Sequence, residues 1–183
     1  LTISGLDLFS KVKNYKQKAI KVPRFEEAAG FYTTENRSRL MGTIKSRNTK
    51  PEILLRKELW KRGYRYRIDV KALPGRPDIV ISKYQLVIFV DGEFWHGHRW
   101  DEKKQKIKTN RGFWLPKIER NIQRDDEVNE RLEELGWTVV RFWEHKITKD
   151  LKGSALVVEA IARTPFLKRN NFEPDQDFAN FTQ

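Results

Sequence analysis

Residues 73–98 read LPGRPDIVISKYQLVIFVDGEFWHGH and restrict the fold more than any other part of the chain. Two short β-branched runs, 79–81 and 86–90, flank a four-residue polar break, Ser82-Lys83-Tyr84-Gln85. That is the pattern of a β-hairpin. A hairpin here brings Asp78, at the start of the first run, and Asp91, at the end of the second, to one region of a sheet. Glu93, Phe94, Trp95, His96 and His98 follow at once, so acids and imidazoles crowd two large aromatics at a strand end. A surface hairpin with charged ends shares this pattern, so the flanking sequence has to decide between a site and a solvated tip.

The flanks supply helices and a further strand. Asn48 or Thr49 is a plausible N-cap for a helix over 51–62, with Pro51 in its first turn, Leu54, Leu55 and Leu59 on its inner face, and Gly63 as its stop. Glu52 sits in the first turn, where a carboxylate suits the helix dipole whether or not it has another role. Residues 64–70 alternate enough to be a strand. A long amphipathic helix is expected over 115–135, with an inner stripe of Ile118, Ile122, Val128, Leu132 and Leu135. Lys117, Asn121 and Arg124 share another side of it. A strand over 137–143 and a helix over 151–163, with Leu156, Val157, Ala160 and Ile161 apolar, complete the pattern. The order helix, hairpin, helix, strand, helix is that of an α/β domain with a mixed β-sheet flanked by helices. It occupies 37–164, between a basic N-terminal arm, 1–36, and a polar C-terminal tail, 165–183.

Charge narrows the partner. A net charge of +12 points to a polyanion, nucleic acid ahead of an anionic membrane surface. No apolar run approaches the ~20 residues that span a bilayer. The chain has no cysteine, which excludes thiolate metal sites and fits a reducing, cytoplasmic compartment. Nothing marks a serine or cysteine nucleophile, and no glycine-rich phosphate loop is present.

Phosphodiester hydrolysis suits what is left. It needs oxygen ligands for a divalent cation, a proton acceptor near the attacking water and basic side chains for the backbone. Asp78 can be the first ligand, the Val90 carbonyl or the Asp91 carboxylate the second, and His96 the proton carrier. Pro-Asp, then a strand, then a charged residue is the outline of the PD-(D/E)xK nuclease core. A zinc held by His96, His98 and His145 is a weaker alternative, because an isolated His-x-His pair is more often a loop.

Several blocks taken together carry a resemblance: RSRLM at 37–41, NTKPE at 48–52, LPGRPD at 73–78, VIFVDGEFWHGH at 87–98, FWLPKIERNIQRD at 113–125 and LGWTVVRFWEH at 135–145. In order and spacing, residues 37–163 resemble the very-short-patch-repair (Vsr) mismatch endonucleases. The resemblance implies a restriction-endonuclease-like core that uses Mg²⁺, with Mn²⁺ as a substitute, to nick one strand of double-stranded DNA beside a T·G mismatch in a bacterial, nucleoid-associated setting. It implies metal binding by Asp78 and the Val90 carbonyl, proton transfer involving His96, and support from Glu52. Met41, Phe94 and Trp95 are implied to wedge into the base stack, and Lys117 and Asn121 to reach the mismatched bases, with Arg124 beside them. The chain departs from the family's best-known member in three places. Asp91 replaces a histidine, and is expected to act as a carboxylate ligand or base. Glu93, His98, Trp100 and His145 stand where that member has a zinc site with cysteines, so packing by Trp100 and Trp143 is expected in its place. The basic loop before Phe113 carries an extra residue. The alternatives left open are an endonuclease on the same core that needs no mismatch, and a DNA-binding module without catalysis.

Overall fold

The computed structural model describes residues 18–45 and 47–164. The tail 165–183 and the first seventeen residues of the expected arm lie outside them.

The hairpin forms as the sequence requires. Strand β1 (Ile79–Ile81) pairs antiparallel with β2 (Leu86–Asp91) in the register Ile79↔Ile88 and Ile81↔Leu86. The polar break closes as a 3₁₀ turn over Ser82–Tyr84, with Gln85 in the left-handed region at φ 48°. Strand β3 (Thr138–Trp143) adds parallel to β2, with Val90 opposite Phe142, so the sheet is mixed and ordered β1-β2-β3. Every residue of β1 and β2 is buried, because helices cover both faces.

Helices α1 (Glu35–Thr43) and α2 (Lys50–Lys61) precede the sheet. Thr49 is the N-cap of α2, and Pro51 fits its first turn, where the missing N–H costs nothing. Gly63, at φ 90°, ends the helix. Beyond the sheet come α3 (Trp100–Lys103), α4 (Arg111–Glu134), α5 (Glu144–Lys149) and α6 (Leu151–Arg163). One face of the sheet, with Ile79, Ile81, Ile88, Val90, Val140 and Phe142, packs on Leu55 and Leu59 of α2, Ile147 of α5 and Val158 and Ile161 of α6. The other, with Val80, Val87 and Phe89, packs on Leu132 and Val128 of α4. Side chains alternate between the faces, and this sends Val90 to one layer and Asp91 to the other.

Four expectations are corrected. Residues 64–70 form no strand, only an isolated bridge between Arg67 and Val80 with N–H···O contacts of 2.9 Å in both directions. Asp69, left-handed at φ 51°, breaks the extended run. Helix α4 begins four residues before 115, its first turn held by Arg111 Nη1 donating to the Lys104 carbonyl at 2.6 Å. Leu135 is its C-cap and 58% exposed, so the apolar stripe stops at Leu132. Leu156 is likewise exposed on α6. Apart from these four, the described part of the arm lies against α4: Ile20 N–H donates to Gln123 Oε1 at 3.0 Å, Asn110 and Tyr32 exchange hydrogen bonds, and Phe25 and Phe31 pack around Phe113.

Leu132→Ala is expected to cost about 3 kcal/mol in urea unfolding, as for a fully buried leucine, whereas Leu135→Ala is expected to cost less than about 0.5 kcal/mol.

Candidate active site

A cleft of about 880 Å³ opens at the C-terminal end of β2, lined among others by Met41, Glu52, Asp78, Asp91, Trp95, His96, Asp125 and Arg141. The hairpin register sets its first feature. Asp78 Oδ2 accepts the Val90 backbone N–H at 2.8 Å, so the Pro-Asp corner is fastened across the pair to the end of the neighbouring strand. The corner itself sits tight against α4. Gly75 has φ 68°, and a Cβ there would lie 2.5 Å from Val128 Cγ1, so glycine is required. Burial pushes the Asp78 carboxyl up to about 6; the Val90 N–H opposes the shift, and the fields of Glu52 and Asp91 add to it.

Glu52 is buried at 3% exposure beside it. Its carboxylate accepts from the backbone N–H groups of Asn48 at 2.9 Å and Thr49 at 3.3 Å, and pairs with Arg56. Arg56 in turn donates to Asn48 Oδ1 at 2.8 Å. Glu52 thus caps α2, its ordinary first-turn role, while its charge acts on Asp78.

On the opposite side of β2, His96 Nδ1 lies 2.6 Å from Asp125 Oδ2 and 3.5 Å from Asp91 Oδ1. Because a carboxylate only accepts, Nδ1 carries the proton in this contact and Nε2 is the ring atom left for chemistry. Burial opposes charge on His96, but the Asp125 hydrogen bond and the fields of Asp91 and Asp125 outweigh it, and the imidazole is held above its usual range. Asp125 is lowered: burial works against its charge, and the His96 bond and Arg141 overcome it.

Asp91 is held in an ion pair. It is 5% exposed, and both oxygens accept from Arg141, Oδ2 from Nε at 2.6 Å and Oδ1 from Nη2 at 2.9 Å. Strand alternation places it on the α4 side of the sheet, away from Val90's side chain. Asp125 and Arg141 are the residues sequence reading passed over. Asp125 is visible as the position one turn beyond Asn121 on the same face of α4; Arg141 is visible as the one charge in the strand VVRFW.

The aromatics after β2 form a cluster. Phe94 is 45% exposed and packs edge-on against Trp95 and Trp114, with ring centroids 5.2 and 5.3 Å away. Met41, on α1, is also exposed at the cleft. Asn121 is 8% exposed and its Nδ2 donates to the Trp95 carbonyl at 2.9 Å, so its amide N–H anchors the aromatic loop. Lys117 is half-buried and Arg124 exposed on the same helix. Glu93, His98 and His145 are neighbours. Glu93 Oε1 accepts from the His145 backbone N–H at 2.9 Å and meets its Nδ1 at 2.6 Å, while the His98 ring lies edge-on to Trp143 and to His145. These contacts clasp the loop to the start of α5. Among the described residues no group of three His, Asp or Glu side chains is arranged around a common point that suits a metal ion. Trp100 Nε1 donates to Glu119 on α4 at 3.4 Å.

The family model for the DNA mismatch endonuclease Vsr matches residues 29–102. A Type II nicking enzyme of Neisseria meningitidis serogroup C, V.NmeDIP, is 49% identical over 118 residues, 64% of this chain and 80% of its own. The chain belongs to the Vsr endonuclease family. The Haemophilus parainfluenzae nicking enzyme V.HpaIIP is 43% identical over 69% of this chain and 91% of its own, and the DNA mismatch endonuclease Vsr of Escherichia coli K12 is 40% identical over 63% and 74%. The protein is accordingly a DNA endonuclease with the α/β, restriction-endonuclease-like fold of that family, and DNA is its substrate. Among the described residues no helix is long and apolar enough to cross a membrane.

Asp78 carries a stability cost that its position explains. A carboxyl whose folded value of about 6 exceeds the ordinary 3.8 opposes folding above pH 3.8, fully so above pH 6. Asp78→Asn is therefore expected to stabilise the metal-free protein by about 1–3 kcal/mol at pH 7.5, and the gain is expected to vanish below about pH 4 in thermal or urea unfolding.

Proposed function

We propose that this endonuclease nicks one strand of duplex DNA at a T·G mismatch, using Mg²⁺ bound at Asp78. The observation that carries the reading is Asp78 itself: a largely buried carboxylate fastened to Val90, facing two other acids, with His96 across the same cleft. A carboxylate held in that field gains from a cation. The donors at that end, Asp78 and the Val90 carbonyl, are oxygens, as Mg²⁺ prefers; it commonly takes only one or two carboxylates from the protein and the rest from water and phosphate. Mn²⁺ accepts the same donors. When bound, such a cation stabilises charge on the phosphoryl oxygens and favours ionised water.

The chain's own residues do the remainder. His96, fixed by Asp125 through Nδ1, presents Nε2 to take a proton as water attacks phosphorus and the P–O bond of the cut strand breaks. Glu52 holds the start of α2 against the site. Phe94, with Trp95 and Trp114 behind it and Met41 nearby, is an exposed ring on a fixed base, which suits insertion between base pairs. Unstacking costs least at a mismatched step, so the wedge itself favours such a site. Arg124 and Lys117 lie on α4, where a phosphate or base edge can meet them. The Escherichia coli relative's name, a mismatch endonuclease, supports the substrate. The other two relatives are named only as nicking enzymes, which favours as a second reading a nickase that needs no mismatch.

A nicking assay with Mg²⁺ on paired duplexes, one matched and one containing T·G, separates the two. Cleavage of the T·G duplex at least about tenfold faster is expected from unstacking costs of a few kcal/mol; equal rates would refute the mismatch assignment. Asp78→Ala is expected to lower cleavage by more than about a thousandfold while leaving binding of the T·G duplex nearly unchanged by fluorescence anisotropy. Full activity in that variant would overturn the metal-site reading.

A further inference from the structure

Five carboxylates, Glu52, Asp78, Asp91, Asp125 and Glu144, line this cleft, and a phosphodiester must approach them. Two, Asp91 and Asp125, flank the same ring nitrogen of His96, at 3.5 and 2.6 Å. Only one can be its partner in a productive orientation. The Arg141 guanidinium lies between them. It takes both oxygens of Asp91, reaches Asp125 Oδ1 with Nη2 at 3.2 Å, and donates from Nη1 to Asn129 Oδ1 at 2.9 Å. Its carbon sits 4.5 Å from the Phe89 ring centroid, so its plane is fixed by stacking as well as by hydrogen bonds.

We infer that Arg141 is a positioning residue for catalysis: by occupying both oxygens of Asp91 it keeps that carboxylate off His96, and so leaves Asp125 as the sole partner that orients the imidazole. The inference rests on the proposed role of His96. Geometry favours it over simple charge neutralisation. A bidentate fork on one carboxylate and a single contact to the other is asymmetric, and the asymmetry matches which acid keeps the histidine. A lysine has one charge but no fork, so it could neutralise the pair without holding both Asp91 oxygens. Without Arg141, Asp91 needs only a small side-chain rotation to compete for Nδ1, and the ring would follow it.

The test uses the full chain, T·G duplex and Mg²⁺, with kcat and KM measured separately. Arg141→Met is expected to lower kcat by about 10–100-fold, the usual cost of losing an orienting partner, with KM for the duplex little changed. Arg141→Lys is expected to restore only part of that loss. The decisive variant is Asp91→Ala/Arg141→Met, which removes the competing carboxylate and leaves no unpaired charge there to unfold the protein. It is expected to recover kcat to within about fivefold of the parent, since Asp125 again has His96 to itself. Nitrogen-15 correlation spectra of the His96 ring supply a readout that a purely structural role would not move: the Nδ1–H form is expected in the parent and the double variant, and a changed pattern in Arg141→Met. Wild-type kcat in a folded Arg141→Met variant would overturn the inference, as would a double variant as slow as the single one, which would mean that Asp91 acts on the reaction itself. Failure of the underlying reading looks different, because it would appear as full activity in His96→Ala.

Discussion

The Asp78 carboxylate and the Val90 N–H meet across the β1–β2 pair, and the rest of the site is arranged around that contact. It exists because the antiparallel register puts the residue before Ile79 beside the strand partner beyond Ile88, and because the Gly75 turn lets the Pro-Asp corner sit against α4. The sheet then does the sorting. Alternation along β2 gives the core the Val90 side chain, leaves its backbone at the strand end, and turns Asp91 toward Arg141. An acid beside the proposed cation position and an acid inside an arginine fork stand at the same end of the hairpin, one before β1 and one closing β2, yet they live in different environments.

That separation explains how so many acids coexist. Glu52 is neutralised by Arg56 and two backbone N–H groups, and Asp91 and Asp125 by Arg141 and His96. Among the described residues no cationic side chain hydrogen-bonds or ion-pairs with Asp78, and burial holds its carboxyl above the ordinary range. Burying a charge without a partner is costly, so the fold keeps at this corner an acid that gains more from a ligand than from the folded chain.

Much of this was legible in the sequence, and the parts that were not share a cause. The hairpin, α2, β3 and α6 follow from short-range patterns, apolar periodicity and turn residues, and these determine the sheet. Asp78, His96 and Phe94 were visible because they sit next to those patterns. The partners of Asp91 and the work of Asn121 were not. Arg141 is fifty residues from Asp91, and nothing local says that one charge inside a strand will find an acid on its neighbour. Asn121 shares a helix side with Lys117 and Arg124 by periodicity, but whether that side meets solvent or the aromatic loop is decided by where residues 92–100 fold. The missing strand over 64–70 is the reverse case: the pattern was there, and one left-handed residue, Asp69, cancelled it.

Helix α4 touches the aromatic cluster at Trp114, packs Ile118 and Ile122 under Gly97, ties down the Trp95 carbonyl at Asn121 and holds His96 at Asp125. From Trp114 to Asp125 is about 16 Å of helix axis at 1.5 Å per residue. On the proposed mechanism a single rod therefore spans the place where stacking is probed and the place where a bond is broken. It works as a ruler, and on the proposed mechanism the offset between the disturbed base step and the nick is a length written in the protein, unaffected by how readily the DNA bends.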